Sequence, residues 1–130
     1  MAQRSLFVSI ARMHHISNPS KFRRLRRFAD QDGISGLVKA GKPGILVFDG
    51  ESQAINTFLE HARGLRYLDF HHVDTKLFSE NINFNQNSRL NNGEAGLREV
   101  ESMNEMICRL EVLGLKDWFR LQLGMKTGHR

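Results

Sequence analysis

The chain has 130 residues, 40% of them hydrophobic and 25% charged, with a formal net charge of +5, which fits one globular domain with a basic surface. No apolar run approaches the roughly 20 residues of a membrane span, and the mixed N-terminus lacks the apolar core of a secretory signal, so we expect an intracellular protein, cytoplasmic or nuclear, without a membrane partner. The single cysteine, Cys108, excludes an internal disulfide and a multi-cysteine zinc site.

The first half of the chain predicts alternating strands and helices. Branched and aromatic residues favour strands, and apolar residues at helical spacing favour helices. Turn and cap residues separate the elements. In chain order we predict a strand over 5–16, a helix from Pro19 to about Gln31, strands over 34–39 and 45–48, a helix capped by Ser52 that ends at Gly64, and a strand over 66–73.

This β-α-β-β-α-β order predicts an α+β, ferredoxin-like sandwich. Right-handed crossovers give an antiparallel sheet of order 4-1-3-2. The third strand is apolar at every residue from Ile45 to Phe48, and the first strand is apolar on both sides. A sheet with one solvated face would alternate, so we expect a C-terminal helical extension to cover the second face.

The second half of the chain is predicted to hold a loop and that helical extension. Residues 1–74 form the predicted ferredoxin-like core, and 75–97 form a flexible loop rich in asparagine and turn residues. Residues 98–130 carry two helices that pack on the core, the first of them opened by a Ser102–Glu105 capping box. We treat all three segments as one domain.

The stretch GLVKAGKPG, residues 36–44, matches the first seven positions of a nucleotide-binding P-loop, G-x-x-x-x-G-K. A P-loop requires Ser or Thr after the lysine, but Pro43 stands there and lacks a backbone N–H. A helix should follow to bind phosphate at its N-terminus, but GILVF reads as a strand. We therefore predict a turn between two strands, with no bound nucleotide and no cofactor.

Several stretches resemble a known family. MHHISNPSK, GISGLVKAGKPGILVFDGES, ARGLRY and GLKDWF are similar to the C-terminal domain that follows the RWD domain in RWD-domain-containing proteins. A related domain ends a spliceosomal pre-mRNA processing factor. The resemblance covers about residues 5–73, with a weaker match over 100–121, and His14-His15-Ile16 and Gly41-Lys42-Pro43-Gly44 are its most specific parts.

The resemblance implies a ferredoxin-like domain, and the splicing factor's version contacts small nuclear RNA. The RWD-linked versions have no established activity to transfer. No RWD domain precedes the first strand here, so we expect an excised domain or a short relative, and functions of an RWD domain are not assigned to it.

Basic residues concentrate in the first half. Up to Lys76, 12 Lys and Arg oppose 7 Asp and Glu, whereas beyond it 7 oppose 7. An uneven basic charge favours an anionic partner, and a solvated helix surface is the alternative. The helical wheel places four arginines of the first helix on one face, opposite Phe22 and Leu25: Arg23, Arg24, Arg26 and Arg27.

The predicted topology adds a basic rim at one end of the sheet. The first strand ends there, beside the starts of the third and fourth strands and the end of the second helix. We therefore expect an anion-binding rim built from His14, His15, Lys39, Lys42, Arg63 and Arg66.

The sequence gives little support to a metal site or to a catalytic site. Neighbouring residues on a strand point to opposite faces, and strand polarity predicts His14-His15 and His71-His72 at opposite ends, so we predict no metal site. Asp49 and Glu51 could form an acid pair, but no base or nucleophile is evident, and Cys108 lacks a catalytic context.

The sequence thus predicts a domain that is not an enzyme. It binds RNA through the basic rim and first helix or, alternatively, acts as an adaptor whose basic face meets an acidic protein surface. The identity of the partner, the process and the oligomeric state stay open.

Overall fold

The computed structural model describes residues 5–13, 19–41, 44–65, 70–79, 89–91 and 94–124. Nine elements lie in these ranges. In chain order they are β1 (Leu6–Met13), α1 (Pro19–Asp32), β2 (Ser35–Lys39), β3 (Gly44–Gly50), α2 (Ser52–Arg63), β4 (His71–Ser79), β5 (Gly96–Glu99), α3 (Met103–Val112) and α4 (Lys116–Gln122).

The strands form one mixed sheet of order β4-β1-β3-β2-β5. β1 pairs antiparallel with β3 and β4, and β2 pairs antiparallel with β3. β5 joins the far side of β2 in parallel. The predicted antiparallel sheet of four strands is therefore incomplete, because it lacks this parallel edge strand.

The predicted fourth strand and the loop after it also differ from the structure. β4 begins at His71 rather than at residue 66 and continues to Ser79. The predicted loop over 75–97 therefore contains the last part of β4 and the start of β5, while residues 66–69, 80–88 and 92–93 lie outside the described residues. The pairing of β4 with β1 contains two register shifts. A simple alternation of side chains in the sequence does not predict such irregularities.

The helices follow local sequence signals closely. α1 begins at Pro19 and is followed by Gly33 in a left-handed conformation, φ 75°, as its end signals predict. The Ser102 hydroxyl accepts a hydrogen bond from the Glu105 amide at 3.0 Å, as in a capping box. At α2 the N-cap residue is Glu51 rather than the predicted Ser52, and its side chain makes no cap hydrogen bond.

Both faces of the sheet are packed. Ala11 and Met13 of β1 lie in a cluster with Leu25 of α1 and Phe58 of α2. The other face of β1, β2 and β3 packs against α3 and α4, where Met106, Leu110, Leu115 and Phe119 are buried. This second cluster explains why β3 is buried at all seven of its residues.

A buried carboxylate holds the segment 89–91 against the end of β3. Asp49 is fully buried, and its two oxygens accept from Arg89 Nε at 2.7 Å and from the Leu90 amide at 2.8 Å. Arg109 of α3 donates to the carbonyl oxygens of Arg89 and Leu90 at 2.7 and 3.2 Å. We call Asp49, Arg89, Leu90 and Arg109 the aspartate clamp.

Burial raises the pKa of Asp49 from 3.8 to about 6, and the positive charge of Arg89 and the hydrogen bond from the Leu90 amide limit that rise. Arg89 Nε lies 2.7 Å from an Asp49 oxygen, and the Arg89 side chain is 12% exposed, so the two groups form a largely buried ion pair. Asp49 and Glu51, which the sequence offers as an acid pair, thus lie in different environments: Glu51 is exposed.

β5 is held beside β2 by backbone contact and by α1. The Gly96 amide donates to the Ile34 carbonyl at 2.6 Å. A Cβ on Gly36 would lie 2.7 Å from the Val47 carbonyl oxygen and 2.9 Å from Leu97. Glycine at this position therefore allows β5 to pack close to β2.

Replacing Gly36 by Ala tests this close approach. We expect a loss of roughly 1–3 kcal/mol or more in unfolding free energy, because the new methyl group overpacks a closed site. Gly114→Ala is the control: its φ is +78° with no atom within 4 Å of a new Cβ, so it adds only backbone strain of about 1–2 kcal/mol. Denaturant unfolding of both variants measures the difference, and a larger loss for Gly114→Ala contradicts the packing argument.

Replacing Asp49 by Asn tests the aspartate clamp. We expect a loss of roughly 1–3 kcal/mol at neutral pH, because an amide has a single acceptor oxygen and cannot accept from both Arg89 Nε and the Leu90 amide, so one buried donor loses its acceptor. Glu60→Gln, at an exposed position on α2, is the matched control and should change stability by less than about 0.5 kcal/mol. Equal stabilities in urea titrations would mean that the clamp contributes nothing.

The same variant has a pH signature. The native state holds the Asp49 proton more tightly than the unfolded chain, since its pKa is raised from 3.8 to about 6. Binding of this proton therefore adds to the unfolding free energy of the wild type. The contribution is fully present below the pKa of the unfolded chain and is lost as pH rises through the pKa of the folded state. The stability difference between wild type and Asp49→Asn should narrow as pH rises across this window.

Candidate anion-binding surface

Three arginines lie on the solvent side of α1. Arg23, Arg24 and Arg27 are exposed, while Leu25 and Ala29 of the same helix are fully buried. At about 100° per residue, the three arginines span one continuous arc, with Arg27 between the other two. The first turn of α1 contains no acidic residue. The α1 arginine face is this set of three.

Arg26 does not belong to that face, although the sequence predicts it there. Its Nη2 donates to the Leu97 carbonyl at 3.2 Å, and its guanidinium lies 5.2 Å from the centre of the Phe22 ring. Neighbouring Asp30 approaches β5 too, since its Oδ1 would lie 2.5 Å from a Cβ on Gly96. Arg26 therefore stabilises the β5 edge, and helical periodicity alone could not reveal a partner 71 residues away.

The end of the sheet carries a row of basic side chains. Across neighbouring strands, Lys39 lies opposite Ile45, Ile45 opposite Arg12, and Arg12 opposite His71. Arg12 and His71 are exposed, whereas Ile45 is 2% exposed. Lys39 is half-buried and donates to the Ala40 carbonyl at 3.2 Å.

Arg12 is a basic residue of the sheet end that is not among those predicted from the sequence. The signal was present in the alternation of β1, because Leu6, Val8 and Ile10 are all fully buried and Arg12 continues their side of the strand. A register with β3 and β4 was needed to see that Arg12 lies in the same row as Lys39 and His71.

His71 and His72 lie at the start of β4, whereas the sequence predicts them at the end of the fourth strand. His71 pairs with Arg12 and His72 with Ala11. Because His14 and His15 lie outside the described residues, the expectation that the two histidine pairs occupy opposite ends of the sheet stays a prediction. His72 contacts the Thr75 hydroxyl at 2.7 Å, and Thr75 contacts the Ser9 hydroxyl at 2.8 Å. Burial lowers the pKa of His72, and the charges of Arg63 and His71 lower it further. A backbone hydrogen bond with Asp74 and the negative charge of Asp74 act in the opposite direction.

The other predicted rim residues divide into two groups. Arg63 is exposed at the last position of α2, and its effect on His72 places it near the start of β4. His14, His15, Lys42 and Arg66 lie outside the described residues. The structure therefore brings Lys39, Arg63 and the newly recognised Arg12 to the basic end of the sheet.

Cations in the two halves of the molecule have different partners. After residue 88, Arg89 pairs with Asp49, Arg98 with Glu105 at 3.7 Å, and Lys116 with Glu111 at 3.6 Å. By contrast, none of the basic side chains at the α1 arginine face or the sheet end forms an ion pair with an acidic side chain in the described ranges. Arg89 and Arg109 of the second half therefore bond to the rest of the fold. In the first half, five arginines are exposed: Arg12, Arg23, Arg24, Arg27 and Arg63.

Two other kinds of site receive no support from the described residues. No cluster of three or more histidine, cysteine or acidic side chains is arranged to hold a metal among them. None of the described helices has the length and apolar character needed to cross a membrane.

No protein-family model matches the chain, and no curated protein is similar to it in sequence. Solved structures do resemble it. The BLUF structure of BlrP1 aligns with 97% of this chain and 93% of its own, with a TM-score of 0.54 and 16% identity. The BLUF protein BlrB in its dark state aligns with 92% and 94%, with a TM-score of 0.50 and 19% identity.

An acylphosphatase from Bacillus subtilis covers 58% of this chain and 83% of its own, with a TM-score of 0.39 and 16% identity. At such identities the two BLUF structures show the fold alone. The chain has an α+β, ferredoxin-like fold, and the resemblance to RWD-associated domains stays a prediction.

The pKa of His72 reports the electrostatic potential at this end of the sheet. Replacing Arg63 by Gln should raise the pKa of His72 toward the ordinary histidine value, because one of the charges that opposes its protonation is removed. NMR titration of the imidazole measures the shift. Arg24→Gln removes the same charge from α1 and should leave His72 unchanged; an equal shift in both variants would contradict a local effect.

Proposed function

We propose that this protein binds RNA through its sugar-phosphate backbone and catalyses no reaction, with the α1 arginine face as the main contact. The observation that carries the proposal is the absence of acidic partners for Arg23, Arg24 and Arg27 in the described part of the chain. Three guanidinium groups on one helix face suit a row of phosphates, because each can donate two parallel hydrogen bonds.

The spacing of these arginines favours contact along one strand of backbone. Arg23 and Arg27 are one helical turn apart, about 6 Å along the axis, and Arg24 lies beside them. Such contacts fix position and affinity without reading bases. The resemblance to a splicing-factor domain that contacts small nuclear RNA agrees with this partner.

The aromatic side chains argue against recognition of stacked bases. Exposed large hydrophobic residues in the described ranges are Leu77, Val112 and Leu121, none of them aromatic. Both faces of the sheet are packed, so neither offers the open stacking platform of an RNA-recognition motif. Binding should therefore depend on salt more than on sequence.

The proposal is tested with Arg23→Glu/Arg27→Glu. Binding to a short RNA duplex at low salt should weaken by about tenfold or more, because two phosphate contacts become repulsive. For wild type, three contacts predict a slope of about −3 when the logarithm of affinity is plotted against that of salt concentration. Fluorescence anisotropy at several salt concentrations measures both quantities.

Lys76→Glu/Lys116→Glu is the matched control, since it makes the same change in net charge away from α1. The control should retain most of the affinity, and circular dichroism should show that both double variants are folded. Loss of binding in both variants alike would indicate a general charge effect. Absence of RNA binding by wild type at low salt would overturn the proposal.

The competing function is an adaptor for other proteins. Its specific support is the exposure of two apolar side chains at helix ends, Val112 at 75% and Leu121 at 63%, since exposed apolar groups often mark protein contacts. A basic face could also meet an acidic protein. Binding of polyglutamate with the same dependence on Arg23 and Arg27, together with no binding of RNA, would favour the adaptor.

A further inference from the structure

We propose that Arg12, His71 and Lys39 form a discrete binding site for a single phosphate group at the end of the sheet. This site is separate from the α1 arginine face and goes beyond backbone binding by that face. It lies on three different strands, β1, β4 and β2. Its ligand is free phosphate or the terminal phosphate of a larger molecule.

The register of the sheet brings the three side chains together. Arg12 and His71 are direct cross-strand partners, and Lys39 and Arg12 both lie opposite Ile45. Direct partners have Cβ atoms about 4.5–5.5 Å apart. Because neighbouring strands are about 4.8 Å apart, Arg12 and Lys39 are separated by roughly 10 Å, and their long side chains can reach one ligand at the solvent margin beside Ile45, which is itself buried.

The row lies at the margin of the core, where its charged ends meet solvent. Val8 and Ile10 precede Arg12 on the same side of β1, and both are fully buried in the cluster with α3 and α4. Arg12 and His71 are exposed. The strand alternation that buries Val8 and Ile10 therefore carries a guanidinium group to the edge of that cluster.

Acidic side chains on the surrounding elements either have other partners or lie on the other side of the sheet from the row. Asp74 accepts from the Trp118 indole at 2.8 Å, and Glu105 pairs with Arg98. Glu99 lies opposite Val38, on the other side of the sheet from the row. In the described ranges no ion pair joins Arg12, His71 or Lys39 to a carboxylate.

The row concentrates positively charged and hydrogen-bond-donating side chains at one place. Arg12 lies between Lys39 and His71 along the sheet, and like charges at neighbouring cross-strand positions repel. A phosphate between them reverses the sign of the interaction. Its oxygens match the paired donors of arginine and the single donors of lysine and histidine.

The first test titrates uniformly labelled protein with inorganic phosphate at constant ionic strength, followed by amide chemical shifts. We expect saturable shifts centred on residues 12, 39, 45 and 71. Arg12→Gln should weaken phosphate binding by about tenfold or more, because the strongest charged donor is lost. Arg12 is exposed, and circular dichroism verifies that the variant is folded.

Arg23→Gln/Arg27→Gln is the control for location. It should leave the phosphate shifts at the sheet end unchanged even if it abolishes RNA binding, so failure of the RNA proposal and failure of the phosphate site are distinguishable. Shifts that do not saturate, that spread equally over α1, or that Arg12→Gln leaves unaltered would overturn the site.

A second arm identifies the source of the phosphate. Two RNA strands of the same sequence are compared, one with a 5′-phosphate and one with a 5′-hydroxyl. Tighter binding of the phosphorylated strand, lost in Arg12→Gln, supports a strand terminus as the ligand. Equal binding of the two strands, with inorganic phosphate still bound at residues 12 and 71, supports a small phosphorylated ligand.

Discussion

The aspartate clamp determines where the second half of the chain lies. Asp49 is fully buried at the end of β3 and bonds both the side chain of Arg89 and the amide of Leu90. Burying a carboxylate is costly unless its charge and its acceptor sites are matched, and the clamp supplies both. The chain returning to the sheet is thereby fixed at one place, from which β5 and α3 follow.

The segment that the clamp holds links the β5 edge of the sheet to the helices that cover one of its faces. Asn91 donates its amide to Ser35 Oγ at 2.8 Å and its side-chain nitrogen to the Gly96 carbonyl at 3.3 Å, which sets β5 beside β2. Arg109 bonds the same segment from α3. Because α3 and α4 cover one face of the sheet, the position of that cover depends on bonds made at the end of β3. Arg89 and Arg109 in this half are consequently used for structure.

Local sequence signals predicted the helices well, because caps, glycine stops and apolar spacing act within a few residues. They missed β5, which has only four residues and pairs in parallel with a strand about 60 positions earlier. They also misplaced β4, whose register shifts opposite β1 disturb the alternation. In the candidate sites, too, local signals could not show contacts between residues far apart in sequence. Arg26 bonds to a distant carbonyl, and Arg12 lies in a row of basic residues that only the register of the strands reveals.

A sheet covered on both faces leaves its ends, its edges and the outer sides of its helices available for binding. That restriction separates this chain from open-faced ferredoxin-like domains, and a shared fold does not specify function. The β5 edge is bonded by Arg26, which removes one outward carbonyl from pairing with other strands. The outer side of α1 and the sheet end carry exposed cations, Arg23, Arg24 and Arg27 on one and Arg12 on the other. These charges stay solvated, but they repel one another, and this repulsion opposes the compact state. An anionic ligand is the partner that would reduce the repulsion.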